Sequence, residues 1–313
     1  MNNPISFSVI IPLYNKGMFI QRAIQSVLDQ TEQNFEIIVV NDGSTDNSLE
    51  VIKQIDSPKL KIINQENAGV SAARNKGAKN ANNVYLAFLD GDDTWDNDFL
   101  KKVKELIIRF PNAGIYGTNN YFLYPNGDLQ KNELDDLFDG QKEGLLKDYF
   151  KTFADLQRSP FSNSNLCIPK RVYDELGGYK VGVKLTEDSD LWCRIAFKYS
   201  IAYTTEPLAT YFLAQEGSTH SIFENKPFEV VNTLQQALVN NEIDSDKIDS
   251  VKKLIALQKI GLIKRGILTK NKSKIYGNFL DSSIISYYPK EYIKCFVATI
   301  IPSKLFNRIK SKQ

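Results

Sequence analysis

FSVIIPLYNKGMFIQRAIQSVLDQ (residues 7–30) places a nearly continuous apolar run directly before a helical stripe. FSVIIP (Phe7 to Pro12) has the pattern of a strand covered on both faces, where alternation disappears. In residues 17–30, Phe19, Ile20, Ala23, Ile24, Val27 and Leu28 share one face at helical spacing. The pair then repeats. EIIVV (Glu36 to Val40) reads as a second buried strand, and a helix that Thr45 or Asp46 can cap runs to Ile55. KIIN (Lys61 to Asn64) is a third strand, Gly69 to Asn80 a helix, and YLAFL (Tyr85 to Leu89) a fourth strand. This alternation predicts a Rossmann-like α/β fold, a mainly parallel sheet with helices on both faces.

The pattern changes after residue 96. A helix from Asn97 to Phe110 stops at Pro111, and GIYGTNNYFLYPNGDL reads as a hairpin turning at Asn126-Gly127. Helix and short strand mix up to Phe223, and a Lys-rich, mainly helical region follows. The expected organisation is therefore two halves of one domain, residues 1–110 and 111–223, with a basic helical region at 224–313. The 42% hydrophobic and 24% charged residues are ordinary for a globular protein. Three scattered cysteines, Cys167, Cys193 and Cys295, with no CxxC pair suggest buried thiols rather than a disulfide framework or a zinc site. The opening MNNPISFSVIIP has no basic region followed by a long apolar one, and no stretch approaches the roughly 18 apolar residues of a spanning helix. The expectation is a cytoplasmic protein.

The ends of the apolar strands carry the chemistry. The first ends in Pro12-Leu13-Tyr14-Asn15, the second in Asn41-Asp42-Gly43-Ser44, and the fourth in Asp90-Gly91-Asp92-Asp93. In a parallel sheet these termini share one edge, where open α/β folds hold ligands. Three acids within four residues repel one another unless they are solvated or bind a cation. Hard oxygen ligands suit Mg²⁺ or Mn²⁺, which take one or two carboxylates and fill the other positions with phosphate and water. The alternative is an acidic turn capping the next helix. Asp42 either closes a turn or accepts hydrogen bonds from a nucleobase.

NAGVSAARNKG (67–77) opens a helix with small residues, so Gly69 can let a ligand approach the backbone and Arg74 can reach a base or phosphate. Neither GxxxxGK[ST] nor GxGxxG is present, which argues against ATPases and dehydrogenases. Thr186-Glu187-Asp188-Ser189-Asp190-Leu191-Trp192 starts an amphipathic helix. Its acids either favour the helix terminus or include a general base, Asp188, for an acceptor hydroxyl. Gly177-Gly178-Tyr179 supplies a bend for an acceptor pocket. His220, the single histidine, is either a metal or phosphate contact or an exposed loop residue.

Taken in order, SVIIPLYN (8–15), FEIIVVNDGSTDNS (35–48), NAGVSAARNKG (67–77), YLAFLDGDDTW (85–95), GGY (177–179) and EDSDLWCRI (187–195) resemble the family-2 glycosyltransferases of GT-A fold over roughly the first 200 residues. The resemblance implies an inverting transfer of sugar from a nucleotide sugar, a UDP-sugar foremost, to an acceptor hydroxyl. Residues 1–110 would then bind the nucleotide sugar and 111–223 the acceptor. It implies nucleoside contacts from Pro12, Tyr14, Asn15 and Asp42, with Asp90 near the ribose and Gly69, Arg74 and Gly91 completing the nucleotide site. Asp92, with His220, would ligate Mn²⁺ or Mg²⁺, and Asp188 would be the base. Asp93, Gly178, Tyr179, Glu187 and Trp192 would line the sugar or acceptor pocket. One departure stands out: many members carry an Arg and a His near a Ser-rich loop, and residues 211–221 hold no Arg while the His falls late.

The charge is uneven. Residues 247–313 hold fifteen Lys/Arg against three acids, a net of +12 that leaves −10 for residues 1–246. KEYIKCFVATIIPSKLFNRIKSKQ (290–313) mixes apolar and basic residues, a pattern suited either to an anionic membrane surface or to packing on the catalytic domain. The first case makes the protein peripheral on the inner leaflet, with a glycan or lipid-linked acceptor in bacterial cell-surface synthesis. No motif supports nucleic acid. Two rivals remain, a sugar nucleotidyltransferase and a catalytically silent partner subunit. PLYNKG is a poor match to the glycine-rich loop of the first, and Asp42, Asp92 and Asp188 together argue against the second.

Overall fold

The computed structural model describes residues 4–183, 185–213, 228–268, 278–279 and 281–300. The chain divides into two compact units, one of residues 1–149 with 159–221, the other of 150–158 with 222–313. In chain order the first unit runs β1 (Phe7–Leu13), α1 (Ile20–Leu28), β2 (Phe35–Asp42), α2 (Ser48–Lys53), β3 (Leu60–Gln65), α3 (Val70–Lys79), β4 (Tyr85–Phe88), β5 (Thr94–Trp95) and α4 (Phe99–Arg109). It continues through β6 (Ile115–Leu123), β7 (Leu129–Lys131) and β8 (Glu143–Leu145). After α5 (Tyr149–Leu156), which belongs mostly to the second unit, come β9 (Leu166–Pro169), α6 (Lys170–Glu175), α7 (Glu187–Lys198) and β10 (Ile201–Phe212).

Among the described residues the sheet follows the order β3-β2-β1-β4-β9-β6-β10-β5, with β7 on β6 and β8 on β10. β1 pairs parallel with β2 and β4, β2 with β3, and β10 with β6. β9 runs antiparallel to both neighbours, β4 and β6. The sheet is therefore mixed and mainly parallel. Register places Leu13 beside Asn41 and Asn41 beside Asn64, so three strands finish level with one another.

β1 shows why the apolar run is continuous. Phe7, Val9, Ile11 and Leu13 face a core shared with Ile20, Ile24 and Val27 of α1 and Phe99, Val103 and Leu106 of α4. Ile10 points the other way, toward α3, as strand pleating requires. There it meets Gly77, where a built Cβ would lie 2.5 Å from the Ile10 Cγ2. The helix comes this close because residue 77 has no side chain. The hairpin is also where its sequence placed it: β6 and β7 pair with Leu123 opposite Leu129, and Gly127 has φ +88°.

The second unit contains α8 (Glu229–Val239), α9 (Ile248–Leu268), α10 (Ser282–Tyr287) and α11 (Pro289–Ile300). Ala256, Ile260, Ile263, Ile284, Tyr288 and Cys295 form its buried cluster, and the Tyr288 hydroxyl donates to the Ala154 carbonyl at 3.2 Å. All three cysteines are free and buried. No helix among the described residues is long and apolar enough to cross a membrane.

Gly77→Val forces methyl groups into Ile10, a fully buried neighbour with no room to retreat. Overpacking of this kind costs about 1–3 kcal/mol. The variant is expected to melt at a lower temperature when followed by the fluorescence of Trp95 and Trp192, both in the α/β unit. An unchanged melting point would show that the α3–β1 contact is loose.

Candidate active site

The loop after β1 is tied to the loop after β2. Asn15 adopts φ +52°, and its Oδ1 accepts from the Thr45 backbone at 2.8 Å while its own N–H donates to the Ser44 hydroxyl at 3.1 Å. The Lys16 N–H donates to the Ser48 hydroxyl at 2.9 Å, and the Gly17 N–H to Asp46 Oδ2 at 3.0 Å. Asp46 Oδ1 accepts from the Ser48 N–H at 3.0 Å, so Asp46 rather than Thr45 organises the start of α2. Tyr14 remains 47% exposed at the rim.

Asp42 closes a turn, but not its own. Asn41 Oδ1 takes the Ser44 N–H at 3.1 Å. The Asp42 carboxylate, 3% exposed, accepts from Gln65 Nε2 at 2.6 Å, the Ala68 N–H at 2.8 Å and the Gly69 N–H at 2.9 Å. It thereby fixes the entry to α3. Gly69 has φ +89° with open space where a Cβ would stand, and the residue is exposed.

Arg74 connects two motifs that lie far apart in sequence. Its guanidinium is buried between Asp90 Oδ1 at 2.7 Å and Glu187 Oε1 at 3.3 Å. The Asn163 amide, in the orientation that satisfies both neighbours, accepts from the two Nη atoms at 3.2 and 3.1 Å and donates to the Tyr179 hydroxyl at 2.5 Å. Burial works against the Arg74 charge, but Asp90, Tyr179 and Glu187 outweigh it and hold the group firmly cationic. Gly178 supports this arrangement. A Cβ on Gly178 would press within 2.7 Å of Asn75 Oδ1 and the Tyr173 ring, and Asn75 clamps Tyr179 through its N–H and carbonyl. Tyr179 is buried beneath Arg74 and does not line an open pocket.

The three acids of the 90–93 turn divide their work. Asp90 faces Arg74, and its N–H donates to the Ser164 hydroxyl at 3.1 Å. Asp92, partly exposed, accepts the Lys16 ammonium at 2.5 Å, while Arg22 donates to the Asp92 carbonyl at 2.5 Å. Gly91 packs against the Pro12 carbonyl, with 3.4 Å to a built Cβ, and so joins this turn to the first. Asp93 is 2% exposed, held by the Ser164 hydroxyl at 2.5 Å and the Phe212 N–H at 3.2 Å. Burial, with Asp90 and Asp92 adding, raises its pKa well above the carboxylate range. Asp93 is thus an internal tie of the turn rather than a pocket wall. Trp192 likewise turns inward from α7, 1% exposed against Phe161 at 5.0 Å between ring centroids. Its place on the apolar stripe of the helix decides this over a pocket role.

α7 begins after Thr186, a β-branched residue at φ +62° whose buried hydroxyl has no partner among the described residues. Glu187 and Asp188 follow in the first turn, where the helix dipole favours carboxylates. Burial raises the pKa of Glu187 to about 7, with Asp188 adding and Arg74 opposing. Burial also raises that of Asp188, against the Ser189 N–H and Arg74. Asp190 is fully buried between Arg194 at 2.8 Å and Lys180 at 3.0 Å and belongs to the scaffold. His220 lies outside the described residues.

The donor set suits Mg²⁺ or Mn²⁺. Asp92 and Asp90 offer partly exposed hard oxygens, and among the described residues no three His, Cys, Asp or Glu side chains converge into a cage. One or two carboxylates, completed by ligand phosphate and water, are what these ions take.

The pattern that defines Glycosyl transferase family 2 matches residues 8–171, a little over half of the chain. The chain belongs to Glycosyl transferase family 2. Among its curated relatives is an uncharacterized glycosyltransferase of Rickettsia conorii, 29% identical over 96% of this chain and 47% of that protein. Chondroitin synthase of Pasteurella multocida is 37% identical over 40% of this chain and 13% of its own length. The family member described here thus spans less than half of either relative. Among solved structures, S. aureus TarS residues 1–349 in complex with UDP-GlcNAc superposes with a TM-score of 0.63 at 16% identity, covering 88% of this chain and 89% of that one. The shared fold is GT-A.

Sequence reasoning passed over Lys16, Asn163 and Ser164. Lys16 had a signal, a cation directly after PLYN opposite an acidic turn; Asn163 and Ser164 had none.

Glu187 binds its proton more tightly folded than unfolded, so it contributes stability below about pH 4.5 that is lost as pH rises to about 7. Glu187→Gln should remove that slope. Relative to the variant, the wild type is expected to lose on the order of 1–2 kcal/mol between pH 5 and 7.5 in urea unfolding. Parallel pH profiles would place Glu187 in solvent.

Proposed function

We propose that this family-2 glycosyltransferase moves a sugar from a nucleoside diphosphate sugar, a UDP-sugar first, to an acceptor hydroxyl with inversion at the anomeric carbon. The observation that carries the reading is the chain Asp92-Asp90-Arg74-Glu187-Asp188, in which one buried guanidinium joins the acidic turn to the acids of α7. A solved TarS complex with UDP-GlcNAc supports the donor class. Relatives named chondroitin synthase and hyaluronan synthase support a growing glycan as acceptor.

In this reading Pro12, Tyr14, Asn15 and the backbone at Gly69 form the nucleoside wall, with Asp42 fixing the 65–69 segment behind the base. Asp90 lies toward the ribose. Asp92 would hold Mn²⁺ or Mg²⁺; a bound divalent ion neutralises charge on the departing diphosphate. Lys16 sits on the same carboxylate and is placed to swing to the phosphates as a second cation. Asp188 takes the proton of the acceptor hydroxyl as that oxygen attacks the anomeric carbon and the bond to the diphosphate oxygen breaks. Its raised pKa makes it a better base than a solvent-exposed carboxylate, and transfer should rise with pH as it ionises.

Calorimetric titration with UDP, GDP and dTDP, with and without Mn²⁺, tests the donor site. One nucleotide should bind in a metal-dependent manner, and Asp92→Ala should abolish the metal dependence. Asp188→Asn should retain nucleotide binding and lower sugar transfer or donor hydrolysis at least a hundredfold. No nucleotide bound by folded protein would sink the reading in favour of a silent subunit. Lys16→Met should weaken UDP several-fold in the absence of metal and less in its presence; equal losses would remove Lys16 from the phosphate site.

A further inference from the structure

The last described helix packs mainly through one side, with Phe296 edge-on to Phe279 at 6.1 Å between ring centroids. Cys295 of α11, 4% exposed, belongs to the cluster of Ala256, Ile260, Ile263, Ile284 and Tyr288. At ~100° per residue, Ile293, Phe296 and Val297 occupy an arc of about 100° turned away from Cys295. They are 59%, 49% and 43% exposed. Lys290 and Lys294 follow on the flank of that arc next to Val297, and both are exposed. Ile285 of the preceding helix is a fourth large apolar side chain left 48% exposed. The helix therefore carries a half-exposed apolar stripe bordered by the ammonium groups of Lys290 and of Lys294, the latter paired with Glu291 at 2.8 Å.

We infer that this face of α11 docks on the surface of a bilayer containing anionic lipid, as a peripheral contact that does not cross it. The inference stands apart from the sugar-transfer reading, since none of these residues belongs to the site. Two observations select the occupant. Residues 247–313 carry a net charge of +12 against −10 for the rest of the chain, so positive charge gathers in the region that bears the stripe. Apolar side chains flanked by lysines also match the layering of a membrane interface, with rings and branched chains at the acyl boundary and ammonium groups among phosphates. Nucleic acid would use the charge and leave the stripe in water. A second copy of the chain would cover the stripe but bring like charges together.

The test is sedimentation of the full chain with vesicles of phosphatidylcholine alone or mixed with phosphatidylglycerol, at low and high salt. Wild type should sediment with the mixed vesicles only, and less at high salt. Lys290→Gln and Lys294→Gln should each lower partitioning about fivefold, the effect of ~1 kcal/mol per basic residue near an anionic surface. Ile293→Ser with Phe296→Ser should lower it at least tenfold at unchanged circular dichroism. If the serine pair fails to fold, the lysine variants decide, because both positions are exposed. The inference is overturned if wild type ignores phosphatidylglycerol, if both variant sets bind like wild type, or if the stripe instead mediates a dimer that the serine pair dissociates.

Discussion

The guanidinium of Arg74 is the constraint on which the site rests. It is buried, it faces Asp90 and Glu187, and Asn163, itself tied to the Tyr179 hydroxyl, accepts from it directly. A charge so placed is tolerable only because two carboxylates and an amide surround it. In return Arg74 ties Asp90 of the acidic turn to Glu187 of α7. Much of the local sequence serves this arrangement. Gly77 brings α3 against the sheet, Asp42 fixes where α3 starts, and Gly178 admits Asn75 and Tyr173 beneath Tyr179.

The first four strands and their helices were legible because β1 and β2 are buried on both faces and α1 is amphipathic, so each element carries its own period. Asp42, Asp90 and Asp92 were legible for the related reason that parallel strands finish at one edge. Side chains that meet across that edge were harder to assign. Trp192 and Asp93 looked like pocket residues by position in their motifs, yet one packs on Phe161 and the other binds Ser164 and Phe212. Nothing in a linear pattern separates an acid that faces the crevice from an acid one residue away that faces the core.

β9 explains the other gap. A parallel strand brings its C-terminal residues to the site edge, and those were the positions the sequence offered. β9 runs against both neighbours, so it begins at that edge, and the residues just before it, Asn163 and Ser164, arrive there. The reversal takes four residues, too few for a hydrophobic period to reveal. Only the assembled sheet shows that a polar turn before a short antiparallel strand contributes to the site.

Thr186 carries a further implication. A β-branched residue in the left-handed region stores about 1–3 kcal/mol of backbone strain, and its conformation cannot be continued as right-handed helix. It acts as a stop, so α7 begins at Glu187 and Asp188 stays in its first turn, where the helix dipole favours a carboxylate. The left-handed conformation suits few residue types. Glycine or asparagine would keep the stop and relieve the strain, while alanine would favour a longer helix with Asp188 one residue further from its positive end. The place of the acid in its helix is thus recorded in the residue before the motif as much as in the motif itself.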